Sequence, residues 1–355
     1  MTETNSSRSN VVDEIRNGTT RWHANKDLGG YILTAIEIFT NCFLINTVCL
    51  FGVVGNILNV VVLCKHGFRE TTNIILVSLS VSDLMFCIIV PVTKVRMMFS
   101  FFSLDLSVSV HTFVTVFLFM PKYVCLASSC CYVSIIAVER FIAVFFPFHA
   151  SKIFTRHSMR LMCICVPIIT ACSMFPTFFA LKYEWVFDFR WNKTTAFMQY
   201  TNFYIAHQAF IDTYVWVGLS NGFCATSITI VTVCCLAIGF KLTKAAIKRE
   251  QMTRKAVGKE KVVKMLVTVC LIYISVSIPT LALYSYYQPS FIFISPLYEL
   301  VDNFGVLLSS INASANFVVY VTMSDKFANT YRKMLACSRT PILKNNRGSL
   351  SKRII

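Results

Sequence analysis

The chain has 355 residues, 55% of them hydrophobic and only 14% charged, with a mean hydropathy of +0.63. A soluble domain carries about a quarter charged residues, so this composition excludes an ordinary aqueous globule and makes lipid the main solvent. The net charge of +16 and the 15 cysteines would suit a nucleic-acid binder or a disulfide scaffold, but placement excludes both: the basic residues collect on one side of the apolar runs, and nearly all cysteines lie inside those runs, where Cys packs as a small hydrophobe.

Residues 1–37 are polar and rich in Asn, Ser and Thr, without the apolar core of a cleavable signal peptide. They read as an extracellular, disordered arm with glycosylation signals at Asn5 and Asn17. Seven apolar runs follow, at about 38–64, 72–98, 109–144, 157–181, 212–244, 258–287 and 295–321. Each supplies the roughly 20 residues that a hydrocarbon core requires, and the first reads as an uncleaved signal anchor. The result is an all-α bundle over 38–321. A tail over 322–355 ends the chain. Phe327, Tyr331 and Leu335 recur there every four residues, with Lys326, Arg332 and Lys333 off the stripe. This predicts an amphipathic helix over 324–336 on the inner leaflet, with Cys337 as a palmitoylation candidate.

Orientation follows from Lys and Arg. With the N-terminus outside, the inner segments 64–72, 141–160, 241–264 and 322–355 hold 22 of the 33 basic residues. The third inner loop, "KLTKAAIKREQMTRKAVGKEKVVK", suits anionic lipid and a partner helix. The charge is thus an inner-leaflet pattern and not a nucleic-acid footprint. A third glycosylation signal, at Asn192, falls outside.

Polar groups within spans are functional candidates. Asn56 lies in span one, Asp83 in span two, and Lys122, Ser129, Glu139 and Arg140 in span three. Pro279 interrupts span six; Asn312, Asn316 and Tyr320 lie in span seven. A buried carboxylate such as Asp83 needs a counter-ion, hydrogen bonds or a proton. Lys122 precedes Arg140 by 18 residues, about 27 Å along a helix, which puts it near the outer face. A lysine there disfavours a cationic ligand and favours an anionic one; the alternative is an internal pair with Glu299, Asp302 or Glu37. Glu139 can neutralise Arg140. No HExxH, no Gly-x-Ser-x-Gly and no paired carboxylates at membrane depth point to catalysis, and no inverted repeat points to a transporter.

Gly55-Asn56, Leu79 and Asp83 in "LSVSD", "ERF" at 139–141, Pro279, "NFVVY" at 316–320 and Phe327 stand in the right spans and order. Over residues 38–337 the chain resembles the rhodopsin-like G-protein-coupled receptors. The resemblance implies a plasma-membrane receptor, not an enzyme, that binds an extracellular ligand and activates a heterotrimeric G protein; arrestin is a further partner. The aromatic outer segments favour a peptide ligand, with a small polar or anionic chemosensory molecule as the alternative; a membrane transporter is a distant competing reading. The resemblance puts Lys122, Glu299 and Asp302 at the ligand. Asn56, Asp83, Ser129, Asn312 and Asn316 become an activation network that binds a sodium ion in the family, with Asp83 as the metal ligand. Glu139, Arg140, Phe141, Pro279 and Tyr320 become the G-protein switch.

The chain also departs from the pattern. Thr115 stands where the family has the Cys bridged to the second outer loop, and that loop contains no Cys, so it must be held by packing or be mobile. Ser277 replaces the span-six Trp, and Phe317 the span-seven Pro. Lys259, with Glu260 beside it, stands where the family has the acid that locks Arg140. The lock is therefore in question.

Overall fold

The computed structural model describes residues 28–188, 192–250, 257–286 and 296–337. Span one starts as Leu28–Ile38, passes through a π-helical turn, Phe39–Leu44, and continues as Ile45–His66. Span two is Thr71–Thr93, span three Leu104–Phe145 and span four Arg156–Ser173. Span five is the π-helical Tyr214–Phe223 extended by Cys224–Glu250. Val257–Tyr286 and Pro296–Met323 are spans six and seven, and a tail helix runs over Asp325–Cys337. By length and hydropathy six of these spans can each cross a membrane; span four qualifies together with the short helix Pro147–Ile153, from which it bends by 62°.

Two expectations are corrected. The N-terminal arm does not remain irregular to residue 37, because Leu28–Ile38 is already helical. The stretch "LGGYILTAIEI" is apolar enough to extend span one, despite its two glycines. Span four stops at Ser173 instead of 181. Pro176 follows in a separate turn, Phe175–Phe178, as expected where a proline lacks its amide donor and restricts its predecessor. The second outer loop is a hairpin: β1, Leu181–Asp188, pairs antiparallel with β2, Lys193–Tyr200, from Leu181 opposite Tyr200 to Asp188 opposite Lys193. Asn192 stands in the turn with φ 48°, a left-handed conformation that Asn tolerates.

Span three is the central post. Tyr132 donates to the Cys163 carbonyl of span four at 2.8 Å, and Ser128 meets Thr170 at 2.9 Å. Ser134 meets Ser227 of span five at 2.6 Å, and Tyr273 of span six donates to the same Ser227 hydroxyl at 2.9 Å. An inner apolar core gathers Leu79, Ile136, Val231, Leu266 and Tyr320; a second, farther out, gathers Ile45, Phe86, Val90 and Val306. Leu236 and Phe240, by contrast, face outward, which in water would be a liability and in lipid is ordinary. Spans one and seven approach closely at Gly55, where a Cβ would lie 2.8 Å from that of Phe317.

Candidate functional site

Three polar layers are threaded on span three. The middle layer is Asp83, 1% exposed. Ser129 donates to its Oδ1 at 2.7 Å and Asn316 Nδ2 to its Oδ2 at 2.8 Å, so one carboxylate ties spans two, three and seven. Of the five residues grouped here by resemblance, the structure brings these three together. Asn56 instead donates to the Ala313 carbonyl at 2.9 Å, and Asn312 is half-buried without a place in the carboxylate's hydrogen bonds. An unannounced branch leads inward from Asn56: Asn59 donates to its Oδ1 at 3.5 Å, and Tyr331 of the tail helix donates to Asn59 at 2.8 Å.

At the opposite end of span three from the hairpin, Arg140 pairs with Glu139 at 3.2 Å. Thr71 and Thr72 each donate to Glu139 Oε1 at 3.1 Å, and Arg140 Nη2 also donates to the Thr72 hydroxyl. The acid and base are thus held by the first turn of span two. Sequence reasoning missed these threonines, although two hydroxyls at a helix start are a recognisable polar signal. Phe141 stacks on Phe145 at 4.6 Å. Lys241 of span five donates to the Val144 carbonyl at 2.6 Å. Tyr320 is fully buried and its hydroxyl has no partner among the described residues. Pro279 lies inside span six as predicted. The side chains of Lys259 and Glu260 lie outside the described set.

At the hairpin end of the bundle is a cavity of about 240 Å³. Phe86, Phe119, Tyr123, Leu126, Leu219 and Leu281 form much of its wall, and Leu181 and Met198 of the hairpin close it above. Among the described residues Lys122 is the one charged side chain in the lining. It is 4% exposed, with Nζ 4.6 Å from the Tyr123 ring centroid and 5.0 Å from that of Phe119. The internal pairs open to Lys122 are not made: no carboxylate of the described residues is within 4.0 Å of its nitrogen. Asp302 is held by Lys94 at 2.9 Å and accepts from Tyr284 at 2.9 Å. Lys94 also donates to Asn303 Oδ1 at 2.6 Å. Glu299 and Glu37 face one another instead, each with a buried carboxylate oxygen lacking a hydrogen-bond partner among the described residues. Nothing in the sequence singles out Lys94; its role emerges from the packing of spans two and seven.

The hairpin is tied down without a cysteine. Thr112 donates to the Ala196 carbonyl at 3.1 Å, Ser109 accepts from the Ala196 amide at 3.3 Å, and Asp105 pairs with Lys193 at 3.1 Å. Ser109 and Thr112 are three apart on one helix face, so both reach one residue of β2. Asn192 is exposed at the tip. Asn5 and Asn17, and the Cys337 side chain, lie outside the described residues. Among the described residues no three His, Cys, Asp or Glu side chains converge to hold a metal.

A family model described as "7 transmembrane receptor (rhodopsin family)" matches residues 55–320. The chain is similar to the somatostatin receptor type 2 of Sus scrofa, at 21% identity over 347 residues that cover 91% of this chain and 87% of the relative. It is similar to the growth hormone secretagogue receptor type 1 of Mustela putorius furo, at 24% identity with 80% and 77% coverage. The allatostatin-A receptor of Bombyx mori is 24% identical, with 81% and 76% coverage.

Proposed function

The chain belongs to the rhodopsin family of seven-transmembrane receptors, and from that premise we propose that it binds an extracellular peptide in the outer cavity and activates a heterotrimeric G protein through its inner face. It is a multi-pass membrane protein and a signalling receptor, not an enzyme. The peptide reading draws support from relatives named for somatostatin, growth hormone secretagogues and allatostatin-A. The observation that carries the signalling reading is that one helix, span three, brings Lys122 to the cavity, Ser129 to the buried carboxylate and Arg140 to the inner end.

A rigid post with three polar layers lets a change at one end be felt at the other, provided its neighbours have two arrangements. Ligand under the hairpin presses on spans five and six. Span six pivots at Pro279 and breaks the Tyr273–Ser227 hydrogen bond. Asp83 exchanges partners, and Arg140 leaves Thr72 and Glu139 for an acceptor on the G protein. Asp83 and Ser129 would hold a sodium ion, which when bound supplies the positive charge a buried carboxylate lacks. That fit rests on one carboxylate and one hydroxyl in contact at 2.7 Å. The basic inner loops face the cytoplasm and its anionic lipid, arrestin docks on the same face, and the tail helix lies on the inner leaflet with Cys337 acylated. Asn5, Asn17 and Asn192 carry glycans outside, at the plasma membrane.

Nucleotide exchange on G proteins co-reconstituted with the full chain, in the presence of fractionated peptide extracts, tests the reading. Peptide-dependent exchange supports it; solute uptake or current without a G protein, and no exchange, overturns it.

A further inference from the structure

Among the described residues Lys122 has no carboxylate within ion-pair distance, and the charge of Asp302 acts on it only from farther off. Burying an ammonium without a partner is costly. Two ring faces at 4.6 and 5.0 Å attract the ammonium only through their quadrupoles, and the nearby acid, Asp302, is held by Lys94 and Tyr284. An anionic group on the ligand would complete this environment.

The surroundings narrow its chemistry. One lysine answers one negative charge, so a phosphate dianion would bring a charge too many. A sulfate ester would bring three oxygens to a wall of aromatic and aliphatic side chains with few donors. An apolar cavity of about 150 Å³ accepts benzene; at about 240 Å³ there is room for one large side chain and a carboxylate. The hairpin residues Leu181 and Met198 line the space, and a volume that holds one large residue accommodates the end of a chain rather than its passage. Resting on the peptide reading above, we propose that the cavity takes the C-terminal residue of the ligand. Its free carboxylate sits on Lys122, and an apolar side chain lies among Phe119, Tyr123, Leu126, Leu219 and Leu281.

The test uses the purified full chain in lipid nanodiscs and follows thermal stabilisation, which grows with ligand occupancy. The probes are N-acetyl-Ala-Leu-Phe as the free acid, the same peptide as its C-terminal amide, and 4-phenylbutyrate. The acid is expected to bind the wild type about ten- to hundredfold more tightly than the amide, the usual weight of a charge-assisted contact. Lys122→Gln abolishes that preference, and Lys122→Arg, which keeps the charge should Gln fold poorly, retains it. Acid and amide binding equally, no binding by any probe at millimolar concentration, or an acid preference that survives Lys122→Gln overturns the proposal. Binding of 4-phenylbutyrate but of neither peptide overturns the peptide source while keeping the carboxylate seat. Failure of G-protein exchange is read separately, so the two readings fall independently.

Discussion

Thr72 receives the Arg140 guanidinium and donates to Glu139 with the same hydroxyl, so one methyl-for-hydroxyl change reaches both members of the Glu139–Arg140 pair. Thr72→Val is expected to raise ligand-free nucleotide exchange several-fold, because a net hydrogen bond to a charged group is worth about 1.5–3 kcal/mol and only part of it biases the resting state. Unchanged basal exchange would show that Glu139 alone holds Arg140. In the middle layer, Asp83→Asn keeps the shape but removes the charge. Any sodium dependence of ligand affinity should vanish, which ligand competition across a sodium series checks. The ionisable members of these layers stood out in the sequence because charge in an apolar run is rare. Thr72 did not, since a threonine at a helix start is common and its importance comes from a neighbour 68 positions away.

The hairpin and the tail helix are the elements whose attachment the structure revealed. The loop could be recognised as lacking a cysteine, but its alternation of polar and apolar residues was hidden by its many aromatics, and the two polar hooks on span three had no visible target. Ser109→Ala with Thr112→Val is expected to raise amide hydrogen exchange in Lys193–Tyr200 by at least tenfold, as two buried backbone groups lose partners worth about 1 kcal/mol each. Lys193→Ala should change little, because its side chain is 62% exposed and exposed ion pairs contribute under about 1 kcal/mol. At the inner end, burial pushes the Tyr331 phenol above its usual pKa, so it remains a donor at physiological pH. Tyr331→Phe keeps the ring contact with Phe317 at 5.4 Å and removes only the bond to Asn59. Lower agonist-stimulated exchange with unchanged thermal stability would identify Asn59 as a relay to the tail helix; equal loss of both would make it structural.

Across the whole molecule, stability depends on how closely the spans approach, because lipid offers no hydrophobic drive between them. Gly55→Ala puts a methyl group 2.8 Å from the Phe317 Cβ, and overpacking of this kind costs about 1–3 kcal/mol. The unfolding midpoint of purified protein should fall by several degrees, and a midpoint at the wild-type value would mean that span seven yields without cost.

The sequence by itself determined the class, the number of spans, the charge asymmetry and the residues too polar to lie in lipid by accident. Those properties are sums over local composition, and each residue's transfer cost between water and hydrocarbon can be read without knowing its neighbours in space. Only the tertiary structure decided the partners. It gave Asp302 to Lys94 and left Lys122 to the cavity, moved Asn56 to the Ala313 carbonyl, and joined Glu139 and Arg140 to Thr72. A buried polar group takes whichever partner lies within about 3 Å in the right direction. That choice is made by helices packed across separations as large as the 272 positions between Asn59 and Tyr331.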